Sequence, residues 1–163
     1  MVGGLSQKDY SHQTDTASTA IQLAHMAGFS PIIATASPHN AELLKSLGAT
    51  HVIDRSSNVR EAVANVLRQI NAPAPKVVYD AISNASTQPI AWDILAPGGQ
   101  LNLVHKELVD LEKYKDKHTF VVFGTAHAPE NRADGIQLNL KLTEWLENGS
   151  LRVSICVHRL ALY

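Results

Sequence analysis

Between Ile32 and Asp54 the chain reads IIATASPHNAELLKSLGATHVID, and this stretch constrains the fold more than any other. The apolar run Ile32, Ile33 and Ala34 predicts a buried strand, because β-branched side chains pack well on a pleat covered on both faces. It stops at Ser37-Pro38. Proline supplies the fixed φ suited to a helix's first position, and Ser37 is placed to cap the N–H groups behind it. Leu43, Leu44 and Leu47 then form a helical stripe, Gly48 ends it, and Val52-Ile53 open the next apolar run. Strand, helix, strand is a βαβ unit, whose two strands lie parallel.

The rest of the chain repeats that alternation. Met1 to Asp15 is polar with no period and reads as irregular, so the organised domain is expected over residues 16–163. Thr16 to Gly28 predicts a helix with Ala17, Ala20, Ile21, Ala24 and Ala27 on one face, small enough to lie close to a sheet. After the opening unit, Ser57 or Asn58 is placed to cap a helix with the stripe Val59, Val63, Val66, Leu67 and Ile70. Ala72-Pro73-Ala74-Pro75 breaks it. Lys76–Ala81 is a further buried strand. A helix over about Ser86–Leu95, the turn Pro97-Gly98-Gly99 and a strand at Leu101–Val104 follow.

Lys106–Lys117 is a charged connection and Thr119–Phe123 a strand. Gly135–Asn148 is a helix, and Leu151–Val157 has the alternation of a last strand. The expected architecture is α/β, a doubly wound parallel sheet with helices on both faces.

Composition excludes several classes of function. With 163 residues, 45% hydrophobic and 18% charged, the chain is that of one ordinary globular domain. A formal net charge of −1 gives no electrostatic footprint for nucleic acid or an anionic membrane. No run is long enough to span a bilayer, and one cysteine, Cys156, forms no internal disulfide, which fits a reducing compartment such as the cytoplasm. The eight histidines lack any His-x-x-x-His or Cys-x-x-Cys spacing, so no metal site is expected.

Doubly wound sheets bind ligands beyond the C-terminal ends of their strands. The residues there are Ser37, His39 and Asn40, then Arg55, then Ala81, Ile82 and Ser83, then Val104 and His105, then Gly124 and Thr125. Ser37 is the most informative. An acidic residue at this place accepts from a ribose 2′-OH, whereas a small hydroxyl removes the charge that repels a 2′-phosphate. Ser37 thus points to NADP(H), with His39, Asn40 and Arg55 as phosphate donors. A plain helix cap explains Ser37 equally well. Asp54 and Asp80, placed where general acids or bases could sit, read better as strand-end residues that satisfy neighbouring N–H groups, and Ser83 as a cap for the next helix ahead of the alternative, a contact to the nicotinamide or ribose.

The succession IQLAHMAGFSPIIATASPHNAELLKSLGATHVID, VVYDAIS and LAPGGQL resembles the cofactor-binding half of the medium-chain dehydrogenase/reductases. Within that superfamily it is most similar to the fungal zinc-binding-type oxidoreductases that include trans-acting enoyl reductases of polyketide synthesis. The resemblance covers about Thr16 to Gly149. It implies a Rossmann-like fold, NADP(H), hydride transfer to an activated double bond, a small-molecule or acyl-thioester substrate, and a polyketide synthase as partner. It also places Ala17 where a glycine meets the pyrophosphate, and Gly124 and Thr125 near the nicotinamide.

Two departures stand out. No G-x-G-x-x-G occurs, and Asp15 sets a negative charge where a helix N-terminus should receive a diphosphate. Neither the family's first strand nor its separate catalytic domain is expected within this sequence, so the central strand of the sheet is expected to be absent or altered. A catalytically inactive nucleotide-binding or interaction module is the alternative.

Overall fold

The computed structural model describes residues 12–108, 111–121 and 129–153. Helix α1 spans His12–Met26, so it starts a full turn ahead of the expected Thr16. Apolar periodicity reports only a buried face, and a polar first turn carries no such signal. Gly28, at φ +78°, ends the helix, and the amides of Gly28 and Phe29 donate to the carbonyls of His25 and Ala24, both at 3.0 Å.

Among the described residues five strands follow: β1 (Ile33–Ala36), β2 (His51–Asp54), β3 (Val77–Asp80), β4 (Gln100–Leu103) and β5 (His118–Val121). Between them lie α2 (Ala41–Ser46), α3 (Val59–Gln69) and α4 (Gln88–Ile94), with α5 (Arg132–Glu147) after β5. Every pairing is parallel: Ile33 lies opposite His51, Val78 opposite Leu101, and Leu101 opposite Thr119. Among the described residues β1 pairs with β2, and β3 with β4 and β5, but β1 does not pair with β3. The seam falls where the central strand of a doubly wound order belongs.

The core shows why helices cover both faces. On one face Ala34 and Ala36 of β1 pack with Ala17 and Ile21 of α1 and with Leu44 and Leu47 beside α2, all buried. On the other, Ile33 and Ile53 pack on Val63 of α3, and Val78, Leu101 and Leu103 on Ala91 and Trp92 of α4. β1 is buried at all four residues, as its unbroken apolar run requires. Small side chains on α1 permit close approach, and Gly48 shows how close. A Cβ there would lie 2.6 Å from the Cβ of His25, and its φ of +114° favours glycine in any case.

Two expected elements differ. Asn58 caps α3, its side chain accepting from the Glu61 amide at 3.5 Å, but Ser37 makes no side-chain cap. Pro38 still begins a turn, a 3-10 turn over Pro38–Asn40 that leads into α2. The expected strand from Leu151 is not one over its described part, Leu151–Val153. There the buried Gln22 side chain takes the place of a neighbouring strand: it accepts from the Arg152 amide at 2.7 Å and donates to the Arg152 carbonyl at 3.0 Å. The remainder, Ser154–Val157, lies outside the described residues.

Candidate functional site

At the carboxyl ends of β1 and β2 the structure leaves polar side chains uncommitted. The Arg55 amide donates to the Ala36 carbonyl at 3.0 Å, which sets Arg55 beside Ser37. Ser37 and Arg55 are half-buried, as is Asn40, the N-cap of α2, which makes no side-chain cap bond. His39 is on the same turn but exposed. Among the described residues none of these four side chains makes a hydrogen bond or ion pair. Asp54, by contrast, is engaged in its own turn. It accepts from the Ser56 amide at 2.9 Å and the Ser56 hydroxyl at 2.7 Å. Those two bonds, with the Arg55 charge, hold its carboxyl below the usual range, so it is a turn anion rather than a proton carrier.

The ends of β3 and β4 are organised differently. Asp80 is buried and accepts from the amides of Ile82 and Ser83 at 3.0 and 2.9 Å and from the Thr87 hydroxyl at 2.6 Å. It is the strand-end acceptor that its position predicted. Ser83, at φ +52°, does not cap α4, whose N-cap is Thr87. Its hydroxyl instead donates to the Asp80 carbonyl at 2.6 Å and accepts from the Val104 amide at 2.9 Å. A left-handed serine turns its side chain back under the strand end and away from the helix, which is why the cap expectation fails.

Ala81 is buried in the core, while Ile82 and Val104 are half-buried at the rim of these loops. Ala17 is buried inside α1 against β1, not in a turn. Gly124 and Thr125 lie outside the described residues. Sequence reasoning passed over Thr87 and Gln88, whose only trace is the polar run Ser83–Gln88 ahead of an apolar helix.

A cavity of about 870 Å³ lies beside β1 and β3. Ser30–Ile33 ahead of and within β1, Ala72–Val77 leading into β3, and α1 residues including Ala20 and Leu23 line it. It opens along the seam between β1 and β3, and its walls are largely apolar. Tyr79 borders it, and burial, then the Asp80 charge, pushes its phenol up from the ordinary value. The cavity is therefore a feature of the interrupted sheet, and it reaches from the amino ends of β1 and β3 to Thr16 and Thr19 in the first half of α1.

Comparison with known proteins places this geometry. The family model for zinc-binding dehydrogenases matches residues 17–111, more than half of the chain. A trans-enoyl reductase, grgB of a Penicillium species, is 27% identical over 156 residues, covering 85% of this chain and 43% of the relative. The chain thus spans less than half the length of that curated relative. Among solved structures, a zinc-dependent alcohol dehydrogenase-type protein from Rhizobium etli aligns with a TM-score of 0.69 at 29% identity, over 84% of this chain and 41% of that one. The nucleotide-binding subdomain of the enoylreductase domain of PpsC from Mycobacterium tuberculosis aligns with a TM-score of 0.61 at 25% identity, over 84% of this chain and 79% of that one.

The metal in the family's description finds no counterpart here: among the described residues no three His, Cys, Asp or Glu side chains gather to hold an ion. No helix among them is long and apolar enough to cross a membrane. With its parallel strands, its helices on both faces and a family match over most of them, the chain belongs to the zinc-binding dehydrogenase family, and its fold is the Rossmann-like nucleotide-binding half of the medium-chain dehydrogenase/reductases.

Proposed function

We propose that the carboxyl edge of the sheet binds NADP(H), as the cofactor-binding portion of an enoyl reductase-like oxidoreductase of the cytoplasm. The observation that carries this reading is Ser37. It sits half-buried at the end of β1, caps nothing, and has Arg55 hydrogen-bonded through its backbone to the adjacent Ala36. A serine with no bond of its own and an arginine with no ion pair fit a 2′-phosphate: the hydroxyl donates without adding charge, and the guanidinium forks onto two oxygens. Asn40 and His39 add donors on the same turn. The rim residues Ile82 and Val104, with Ala81 buried behind them, would border the other half of the cofactor, and we assign Gly124 and Thr125 to the same half. Ala17 supports the site only through α1, as packing against β1.

When bound, the cofactor supplies a hydride for an activated double bond, such as that of an enoyl thioester. The chain's own part is to fix the adenosine end at Ser37 and Arg55 and to present the far end beyond β3 and β4. Such positioning decides rate, since a misplacement of about 1 Å costs on the order of a hundredfold. The substrate and a polyketide synthase partner rest on likeness to trans-enoyl reductases.

The test is a titration of the chain with NADPH and NADH, followed by fluorescence of the reduced cofactor. Ser37→Asp should weaken NADPH by about tenfold or more and spare NADH, because a carboxylate repels a 2′-phosphate and accepts from a 2′-OH. Arg55→Ala should also cost NADPH more than NADH. An unchanged preference in both variants would remove the site.

A further inference from the structure

Gln88 is the first residue of α4, and none of its surface reaches solvent. Its side chain is fully committed. The amide nitrogen donates to the Ser83 carbonyl at 3.0 Å and to the Lys106 carbonyl at 2.9 Å, and the amide oxygen accepts from the Leu108 amide at 2.7 Å. Burying a primary amide is costly unless every group is paired, whereas leucine would fill a similar volume at no such cost. What the amide adds is connection. Its partners stand on two loops, Ala81–Asn84 after β3 and Val104–Leu108 after β4, which have no ladder bonds to each other. The Ser83 hydroxyl makes a second tie between them through the Val104 amide.

Both loops lie beyond the carboxyl ends of neighbouring parallel strands, where ligands of open α/β sheets bind. With the amides of Ile82, Ser83, Val104 and Leu108 all turned inward and satisfied, the rim is left with the half-buried side chains of Ile82 and Val104. These apolar flanks suit the face of a planar ring. We propose that Gln88 is a positioning residue for the cofactor: it locks the two loops into one wall that receives the end of NADP(H) remote from the adenosine phosphate. The inference rests on the cofactor site proposed above and deepens it, since Gln88 itself touches no cofactor atom. Its action is confined to one half of the ligand. The adenosine end, at β1 and β2, shares none of its bonds.

That division gives the test. Adenosine 2′,5′-bisphosphate fills only the adenosine end, while NADPH spans both. Gln88→Glu, which keeps size and the acceptor but removes the donor, should weaken NADPH about tenfold and leave the bisphosphate within about twofold of the wild type. Gln88→Leu should do the same. Circular dichroism and a thermal melt establish that each variant is folded. Both probes weakened alike, or NADPH unaffected, overturns the inference and leaves the cofactor site standing. A wild-type chain that binds neither probe overturns the cofactor site and the inference with it. If neither variant folds, the wild type decides by hydrogen exchange. NADPH should slow exchange at Val104 and Leu108 more than the bisphosphate does, and equal protection by the two contradicts the proposal.

Discussion

The two pairs of strand ends on the carboxyl edge are built on opposite plans. Beyond β1 and β2, Ser37, Asn40 and Arg55 are half-buried and make no side-chain hydrogen bonds among the described residues. Beyond β3 and β4, Asp80, Ser83 and Gln88 are buried and every one is bonded. Polar groups that the fold leaves open can recognise a ligand, whereas polar groups that it consumes can only shape the surface a ligand meets. On the proposed reading, recognition and positioning are divided between the two halves of one edge. The division also explains why residue type alone misleads here, since a serine stands in each half with a different task.

The largest consequence concerns stability. Asp80→Ala would leave two buried amides and the Thr87 hydroxyl without their acceptor, and it should cost about 3 kcal/mol or more. Ser37→Ala removes no bond and should stay within about 0.5 kcal/mol of the wild type. Urea denaturation of the two variants reads both values. A costly Ser37→Ala would show that Ser37 is engaged after all and would break the comparison.

A middle-sized effect separates two helix starts that look alike in sequence. Asn58 caps α3 and Ser37 does not cap its turn, so Asn58→Ala should lose about 1 kcal/mol where Ser37→Ala loses almost nothing. Equal losses would return Ser37 to the role of a cap.

How much of this was legible follows from the same contrast. The strands were readable because parallel strands covered on both faces are nearly continuous apolar runs, as in the buried Ile32–Ala34. Their ends were therefore readable too, and with them Ser37, Arg55 and Asp80. The first turn of α1 was hidden because its residues carry no apolar period. Gln88 was hidden for a deeper reason: its three partners stand on loops whose proximity only the folded chain creates. The seam between β1 and β3 was expected because no strand pattern precedes Thr16, but the cavity that runs along it needed coordinates.

The smallest effect lies in the turn after β2. Asp54 titrates below its ordinary value because Ser56 donates to its ionised form, so this contribution to stability is complete above the unfolded-state pKa and is lost as pH falls through the folded-state value. Ser56→Ala should raise the Asp54 pKa toward the model-peptide value of 3.8, which carboxyl NMR titration measures. An unmoved pKa would assign the shift to the Ser56 amide and Arg55, with none left to the hydroxyl.

The central claim, that the carboxyl edge binds a dinucleotide with a divided role for its two halves, is tested most directly by mapping NADPH onto backbone amide resonances of the wild-type chain. The account predicts shifts at Ser37, His39, Asn40, Arg55, Ile82 and Val104, with Ser30, Ala72, Ala74 and Lys76 at the amino end of the cavity unmoved. Shifts centred on the cavity residues, or none at the carboxyl edge at saturating NADPH, would contradict it.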